Sequence, residues 1–185
     1  MMQYTHYFFA VKISEETKVV MKGKMEKLQK AFPFKRWVYH QDLHITLAFL
    51  GAADSDMLTA AVRFVEDGLK NEKTFSLKIH GLGIFGRKDS PRIFWADTME
   101  SAELSSIRKK VFLACEKAGF SLESRPFRPH ITLARKWDSV SSFEKNKLEP
   151  FLFEPLPFTV NEIVLYQTRL DQLPKYEAIN VITLK

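Results

Sequence analysis

The sequence His-Ile-Thr-Leu-Ala occurs twice in this chain of 185 residues, at positions 44–48 and 130–134. In an extended strand, side chains alternate between the two faces, so each copy would direct a histidine and a threonine to one face and apolar side chains to the other. The apolar side chains can anchor the strand in a sheet. The two copies therefore predict two half-buried strands that present His44, Thr46, His130 and Thr132.

These four side chains are suited to acid–base chemistry at a phosphate. Two imidazoles with ordinary pKa values near ~6.5 can divide the work at neutral pH, one accepting a proton and the other donating one. The hydroxyl groups beside them can donate hydrogen bonds to non-bridging phosphate oxygens. Either copy alone would more simply be a polar pair on a half-buried strand, but the recurrence favours metal-free phosphodiester chemistry.

The composition is that of a globular protein with an excess of basic residues. With 45% hydrophobic and 27% charged residues, the chain can form a sizeable core, and we expect one compact domain. The formal net charge of +6 favours an anionic partner. Because the basic residues are spread along the chain in short clusters, a short or terminal nucleic-acid substrate fits better than a long, wrapped one.

Several classes of protein are disfavoured. The single cysteine, Cys115, rules out an internal disulfide framework and a multi-cysteine zinc site, and its apolar neighbours indicate a buried helix position. No stretch of about 18 consecutive apolar residues is present. The N-terminus also lacks a basic segment followed by a long apolar run. We therefore expect a cytoplasmic protein with no membrane attachment and, with no obligate protein partner evident, a monomer.

Three further histidines could suggest a metal site. His40 and His44 have the i, i+4 spacing of a helical zinc site, but this segment is predicted as a strand and no third ligand is nearby. His6 and His80 are isolated in the sequence. We expect neither a metal nor a cofactor.

Hydrophobic periodicity predicts alternating strands and helices. Strands are expected at residues 7–11, 43–50, 75–79, 93–97, around 130–134, 158–168 and 176–184. Helices are expected from a cap at Ser14 to about residue 32, from Ser55 over residues 57–70, over residues 102–118, and, briefly, after a capping-box sequence at Ser141. Glycines 81, 83 and 86 should loosen the chain after the strand at 75–79. Their G-x-G-x-x-G spacing is not predicted to bind a dinucleotide, since no helix follows it.

A single offset relates the two halves of the sequence. The histidines at 44 and 130, the strands starting at 7 and 93, and the predicted caps Ser55 and Ser141 are all 86 residues apart. Such periodicity predicts two similar units, about residues 4–90 and 91–185, in a single bilobal domain. A pseudo-two-fold axis would place the two histidines on opposite sides of one cleft, as an in-line displacement at phosphorus requires.

In its two motifs and the residues that flank them, the chain resembles the two-histidine (2H) phosphoesterases, in particular their RNA 2′,3′-cyclic phosphodiesterase branch, historically called 2′-5′ RNA ligases. The resemblance covers Tyr-Phe-Phe-Ala-Val at 7–11, Leu-His-Ile-Thr-Leu-Ala-Phe-Leu-Gly at 43–51 and Phe-Arg-Pro-His-Ile-Thr-Leu-Ala-Arg at 127–135. It implies an α+β fold of two pseudo-symmetric lobes, with antiparallel sheets lining a basic central cleft and helices packed outside.

The resemblance also implies an activity and roles for individual residues. The reaction would be hydrolysis of RNA 2′,3′-cyclic phosphate ends to 2′-phosphates, with no metal in the catalytic step. His44 would be the proton donor and His130 the proton acceptor, although the identical neighbours of the two residues leave the reverse assignment open. Thr46 and Thr132 would hold the phosphate.

Three residues outside the two motifs are further candidates for the site. Arg135 resembles the arginine that follows the second motif in the family and would contact phosphate, yet it lies one strand position off the face of His130. Arg92 and Tyr176 could line the edge of the cleft, or they could be structural. The turn at residues 169–175 lacks the glycine expected there, which leaves substrate contacts from that turn in doubt. Ligation by the same acid–base pair and a non-catalytic RNA-binding module are the alternative functions.

Overall fold

A computed structural model describes residues 5–185, so residue 4, with which the first predicted unit begins, lies outside the described part. The helices are α1 (Glu15–Ala31), α2 (Ser55–Leu69) and α3 (Ala102–Lys117). The strands are β1 (Tyr7–Lys12), β2 (Phe34–Trp37), β3 (His44–Gly51), β4 (Phe75–Gly86), β5 (Pro91–Thr98), β6 (His130–Trp137), β7 (Leu156–Val160), β8 (Glu162–Thr168) and β9 (Tyr176–Thr183).

The strands form two antiparallel sheets, in the orders β3-β1-β8-β9 and β2-β6-β5-β4-β7. This arrangement confirms the predicted α+β class. The 86-residue offset relates β1 to β5 and β3 to β6, which occupy corresponding places in the two sheets. The sheets do not follow the two halves of the sequence, however, because β8 and β9 complete the first sheet and β2 lies at the edge of the second. The duplication itself stays a prediction.

The helices cover the sheets through apolar faces that the sequence pattern predicts. Helices α2 and α3 pack on each other, and α3 also packs against β3. The hydroxyl of Ser14 caps α1 as predicted, accepting the backbone N–H of Thr17 at 3.3 Å. Helix α2 is capped by Asp54 rather than by Ser55, because the Asp54 carboxylate accepts the backbone N–H of Met57 at 2.8 Å.

The predicted capping box at Ser141 is wrong. No α-helix follows it, and the chain forms only a 3-10 helix, Lys145–Phe151, that has no side-chain cap and contains Pro150. A proline inside the segment removes a backbone donor and prevents a regular helix. Phe143 instead enters the core, with its ring 5.8 Å from that of Phe32. The predicted correspondence between caps at Ser55 and Ser141 therefore fails at both positions.

Two strand predictions are also corrected. The apolar stretch predicted as one strand over 158–168 is two strands in different sheets, because β7 pairs with β4 whereas β8 pairs with β1. The chain crosses between the sheets at Asn161, where the adjacent polar residues Asn161 and Glu162 interrupt the apolar pattern. The strand does not end before the glycines at 81, 83 and 86, since β4 runs through all three, but its pairing with β5 is irregular between Ile79 and Leu82 and between Phe85 and Gly86. A Cβ atom at Gly83 would lie 2.3 Å from the Trp95 ring, so only glycine lets that indole lie against the strand.

Candidate active site

The two motif strands have the predicted facial division. In β3, Ile45 is fully buried, whereas His44 and Thr46 are partly exposed on the other face. In β6, Ile131 is likewise fully buried, whereas His130 and Thr132 are partly exposed on the other face. The sheets thus anchor both strands by their apolar side chains and leave the four polar groups available for chemistry.

The imidazole of His44 is held by its own strand and by aromatic rings. Its Nδ1 atom lies 2.7 Å from the backbone carbonyl of Asp42 and its Nε2 atom lies 3.0 Å from the hydroxyl of Thr46. Since a carbonyl only accepts, Nδ1 carries a proton and donates, which leaves Nε2 for chemistry. The ring of Phe8 is 4.8 Å away and that of Tyr176 is 5.1 Å away and perpendicular.

The imidazole of His130 is held in a matching way. Its Nδ1 atom donates to the backbone carbonyl of Arg128 at 2.8 Å. The ring of Phe85 packs perpendicular to it at 5.0 Å, and the indole of Trp95 lies 6.1 Å away. Both imidazoles therefore have the same tautomer when neutral, with Nε2 available as the reactive atom.

Electrostatics favour the neutral form of His44 in the free protein. Its pKa is lowered to about 4, with burial as the largest cause. The hydrogen bond to Asp42 acts in the opposite direction, and the nearby positive charges of His130, Arg135 and Lys18 contribute to the lowering. Strands β3 and β6 contact each other, which brings the groups of the second motif strand within electrostatic range of His44.

The pKa of His130 is also lowered from its ordinary value. Burial is again the largest cause, and the charges of Arg135 and Arg128 add to it. The hydrogen bond to the Arg128 carbonyl and the carboxylate of Asp97 act in the opposite direction. Two neutral, neighbouring imidazoles surrounded by cations form a site that favours an anion.

A β-bulge explains how Arg135 reaches this face. Between β5 and β6, Trp95 pairs with Thr132 while Phe94 pairs with Ala134, so Leu133 is an extra residue. An extra residue reverses the alternation of side chains beyond it. Arg135 is therefore exposed on the side of Thr132, although a regular strand would direct it to the opposite side.

The same bulge occurs in the first motif strand. Ala10 of β1 pairs with Thr46, and its neighbour pairs with Ala48, so Leu47 is the extra residue there. Beyond this bulge the exposed residue is Phe49, which corresponds to Arg135 by the 86-residue offset. The two halves of the site thus share a backbone geometry but differ in chemistry, with an aromatic ring on one side and a cation on the other.

The remaining predicted residues are distributed as follows. Tyr176 lies beside His44, and its pKa is raised mainly by burial, with Arg135 opposing and Asp42 adding to the shift. Arg92 is exposed and lines a groove next to the site. The turn at 169–175 reaches the site only through its last residue, because the backbone N–H of Lys175 donates to the Asp42 carboxylate at 3.3 Å.

The other histidines and the cysteine lie apart from this chemistry. His40 is in a 3-10 turn, His40–Asp42, rather than in the predicted strand. The ring of His6 packs on Phe49 at 5.7 Å, and His80 lies 3.3 Å from the carbonyl of Phe153. Within the described part of the chain, no three histidine, cysteine or carboxylate side chains are grouped to hold a metal ion. Cys115 is buried as predicted, which raises the pKa of its thiol to about 12.

Sequence reasoning missed two residues that support the site. Asp42 is 2% exposed, and its carboxylate accepts the backbone N–H groups of Lys175 and Tyr176. Lys18 is 4% exposed in the first turn of α1, where its ammonium pairs with Glu15 at 3.3 Å. The only sequence signal for Asp42 was its position two residues before the first histidine, and Lys18 gave no signal within a run of surface lysines.

A groove of about 1030 Å³ opens directly from the site. Its lining includes Thr46 and His130 from the two motif strands. It also includes Phe85, Arg92 and, on α3, Arg108. We call it the α3 groove. It joins a residue from each motif strand to a surface that extends well beyond the two histidines.

Comparison with known sequences gives one matching family and several relatives. The model of the 2′-5′ RNA ligase superfamily matches residues 18–172. The RNA 2′,3′-cyclic phosphodiesterase of Geobacillus stearothermophilus is 39% identical over 183 residues, which are 99% of this chain and 58% of that protein. This chain thus spans a little over half the length of that relative. The RNA 2′,3′-cyclic phosphodiesterase of Bacillus subtilis (strain 168) is 33% identical over 176 residues, covering 94% of this chain and 93% of that protein.

Solved structures share the fold. A protein of Thermus thermophilus, TT0787, superposes with a TM-score of 0.78 at 24% identity, covering 97% of both chains. E. coli LigT, crystallised with 3′-AMP, superposes with a TM-score of 0.77 at 22% identity, covering 99% of both chains. None of the helices described between residues 5 and 185 is long and apolar enough to cross a membrane.

Proposed function

This chain belongs to the 2′-5′ RNA ligase superfamily, and from that membership and the geometry of its site we propose that it hydrolyses RNA 2′,3′-cyclic phosphate ends to 2′-phosphates. The observation that carries the proposal is the pair of histidines on equivalent strands. Each donates from Nδ1 to a backbone carbonyl two residues earlier, at 2.7 Å for His44 and 2.8 Å for His130. Two imidazoles fixed in the same tautomer supply one proton acceptor and one proton donor for a single displacement.

The proposed reaction gives one proton transfer to each imidazole. The Nε2 atom of His130 takes a proton from a water molecule as the water oxygen bonds to phosphorus. The bond from phosphorus to the 3′ oxygen breaks, and that oxygen takes a proton from Nε2 of His44. The product is a 2′-phosphate with a free 3′-hydroxyl, and exchange with solvent returns both imidazoles to their starting states. This assignment of donor and acceptor follows the family resemblance.

The phosphate would be held by groups that surround the two imidazoles. Thr46 and Thr132 offer hydroxyl donors on the two strands, and Arg135 offers a guanidinium on the same face. Hydrogen bonds from such groups stabilise the charge on the non-bridging oxygens throughout the displacement. The bound anion would also raise the pKa of His44 from its low value in the free protein, which favours its protonated, donating form.

Ligation is the second candidate, since the family name refers to it and the same acid–base pair can run in reverse. Water at roughly 55 M normally drives the equilibrium towards hydrolysis. The RNA-binding module without catalysis is disfavoured, because phosphate binding alone would be served as well by lysine or arginine as by two histidines. We further propose that the protein acts on RNA ends as a cytoplasmic monomer.

The test is hydrolysis of an oligonucleotide that ends in a 2′,3′-cyclic phosphate, before and after extensive treatment with EDTA. We expect turnover that survives chelation. Loss of turnover on chelation, restored by zinc or manganese, would instead identify a metallohydrolase. Tight binding of the oligonucleotide without turnover under either condition would support the RNA-binding module.

A further inference from the structure

We propose that the α3 groove binds the nucleotides on the 5′ side of the cyclic phosphate, with Arg108 contacting the RNA backbone. The inference rests on the proposed function and extends it to the residues that bind the RNA strand beyond its terminal nucleotide. A 2′,3′-cyclic phosphate lies at the 3′ end of RNA, so every other nucleotide of the strand leaves the site in one direction. The lining of the α3 groove includes Thr46 and His130, where that strand would begin.

The size of the groove fits more than one nucleotide. Its volume of about 1030 Å³ lies at the upper end of the roughly 300–1,000 Å³ of sites that enclose a drug-sized molecule. A terminal nucleotide at the histidines would occupy one end. A mononucleotide would leave unused the rest of the groove, which is lined in part by Arg108 and Phe112 of α3.

The lining of the groove combines cations with aromatic rings. Its charged residues are four arginines and one carboxylate: Arg92, Arg108, Arg125, Arg128 and Glu123. Its aromatic residues are Phe49, Phe85, Phe112 and Phe127. Positive charge that follows the backbone, together with rings on which bases stack, is how proteins hold single-stranded nucleic acid. Phe49, three residues after the motif threonine, is 57% exposed, so its ring is accessible to a base.

Arg108 is the residue best placed to contact a backbone phosphate. Its guanidinium lies 3.9 Å from the centre of the Phe112 ring and 5.3 Å from that of Phe127. Stacking on two rings fixes the plane of the guanidinium. Among the described residues, its Nε atom is buried and has no hydrogen-bond partner. Because Arg108 is partly exposed and lines the groove, the terminal nitrogens of its guanidinium, rather than the buried Nε, can donate to a phosphate oxygen.

Arg128 links this groove to the catalytic pair. Its guanidinium lies 4.8 Å from the centre of the Trp95 ring, while its backbone carbonyl accepts from His130. Two arginines would therefore flank the RNA path, Arg128 near the reacting phosphate and Arg108 farther along. The contact at Arg108 should affect long substrates more than short ones.

The test compares kcat/KM for a 2′,3′-cyclic mononucleotide with kcat/KM for a trinucleotide that ends in the same cyclic nucleotide. We expect Arg108→Met to lower the ratio of trinucleotide to mononucleotide about tenfold, as the loss of one charged hydrogen bond predicts. The matched control is Arg63→Met. Arg63 also lies over a phenylalanine ring on a helix, 5.2 Å from the centre of the Phe64 ring, but it is not among the residues that line the groove. This control should keep the wild-type ratio.

A second variant tests the groove without touching a packed side chain. Glu123 is exposed and pairs with Arg125 on the loop beside the groove. Glu123→Gln removes the acidic charge, so the KM for the trinucleotide should fall by about two- to fivefold. The proposal would be overturned if Arg108→Met had the wild-type ratio of kcat/KM for the trinucleotide to kcat/KM for the mononucleotide. It would also be overturned if the KM for the trinucleotide did not fall in Glu123→Gln.

The experiments distinguish an error in the groove proposal from an error in the proposed function. If the wild-type protein hydrolyses the mononucleotide but shows no preference for the trinucleotide, the groove proposal is wrong and the proposed function stands. If it hydrolyses neither, the proposed function is wrong. The groove is then judged by the fluorescence anisotropy of a 5′-labelled single-stranded trinucleotide. Binding weakened about tenfold by Arg108→Met and retained by Arg63→Met would support it, and equal binding by all three proteins would overturn it.

Discussion

The carboxylate of Asp42 holds the start of β9 beside the first motif strand by accepting the backbone N–H of Tyr176 at 3.0 Å. The backbone carbonyl of the same aspartate accepts from Nδ1 of His44 at 2.7 Å. One residue therefore fixes the tautomer of the imidazole and places the tyrosine ring perpendicular to it. We infer that Asp42 is a positioning residue whose effect on catalysis passes through His44 and Tyr176.

Replacing this carboxylate should affect both folding and turnover. In Asp42→Ala, two buried backbone N–H groups lose their acceptor, and we expect a loss of about 2–4 kcal/mol in the free energy of unfolding, measured by urea denaturation. We also expect a lower kcat, because the tyrosine no longer confines the His44 ring. Asp67→Ala, which removes a fully exposed carboxylate, is the control and should change stability far less. An Asp42→Ala protein with wild-type stability would show that the two hydrogen bonds are not important.

Replacing Arg135 should weaken binding of the substrate phosphate. The bulge at Leu133 places this guanidinium on the catalytic face, so Arg135→Ala should lower kcat/KM roughly 10–100-fold by losing a charged donor. Lys78→Ala, which removes an exposed strand cation of the same sheet, is the control. Because the charge of Arg135 lowers the pKa of both histidines, the variant should also raise both pKa values. An unchanged kcat/KM would show that Arg135 is only a surface residue.

Gly83 should be sensitive to a single methyl group. In Gly83→Ala the new Cβ would overlap the Trp95 indole, and the displaced ring would no longer pack on His130. We expect a loss of about 1–3 kcal/mol in stability, with a lower kcat. Gly23→Ala is the control, since an added Cβ meets nothing within 4 Å there and should stabilise α1. Wild-type activity in Gly83→Ala would contradict the role given to Trp95.

Local sequence patterns predict the first motif strand and helix α1 correctly. The alternation of His44, Ile45 and Thr46 is a local pattern, so the strand and its faces follow directly from it. Helix α1 follows from its apolar spacing and its Ser14 cap. The fold class follows from the family resemblance of the residues at 7–11, 43–51 and 127–135.

Other features depend on contacts between distant segments, which no local pattern contains. The bulge at Leu133 arises from pairing with β5, so the face of Arg135 could not be predicted from alternation. The carboxylate of Asp42 meets the backbone of Tyr176, which is 134 residues away in the chain. Likewise, the break at Asn161 reflects pairing with two different sheets, since β7 pairs with β4 and β8 pairs with β1.

The lowered pKa values of the two histidines predict the pH dependence. Because kcat/KM reports the free enzyme, its bell-shaped profile should have its optimum below pH ~6.5, between a pKa of about 4 for His44 and the lowered pKa of His130. A bound phosphate favours the charged imidazoles, so the profile of kcat should lie at higher pH. NMR titration of the imidazole signals, assigned with His44→Gln, measures the pKa values directly. A kcat/KM profile in which both apparent pKa values lie above ~7 would contradict this account.

The central claim is that His44 and His130 together open the cyclic phosphate at its 3′ oxygen. Phosphorus NMR of a digested oligonucleotide ending in a 2′,3′-cyclic phosphate tests it directly, with 2′- and 3′-phosphate standards. We predict that the wild-type protein and His80→Ala, whose histidine lies outside the site, accumulate the 2′-phosphate. His44→Ala and His130→Ala should each be slower by roughly 10²–10⁴-fold, and the double variant should lose less than the product of the two. Near-full turnover by either single variant would contradict the two-histidine mechanism, and a dominant 3′-phosphate would contradict the assignment of the leaving oxygen.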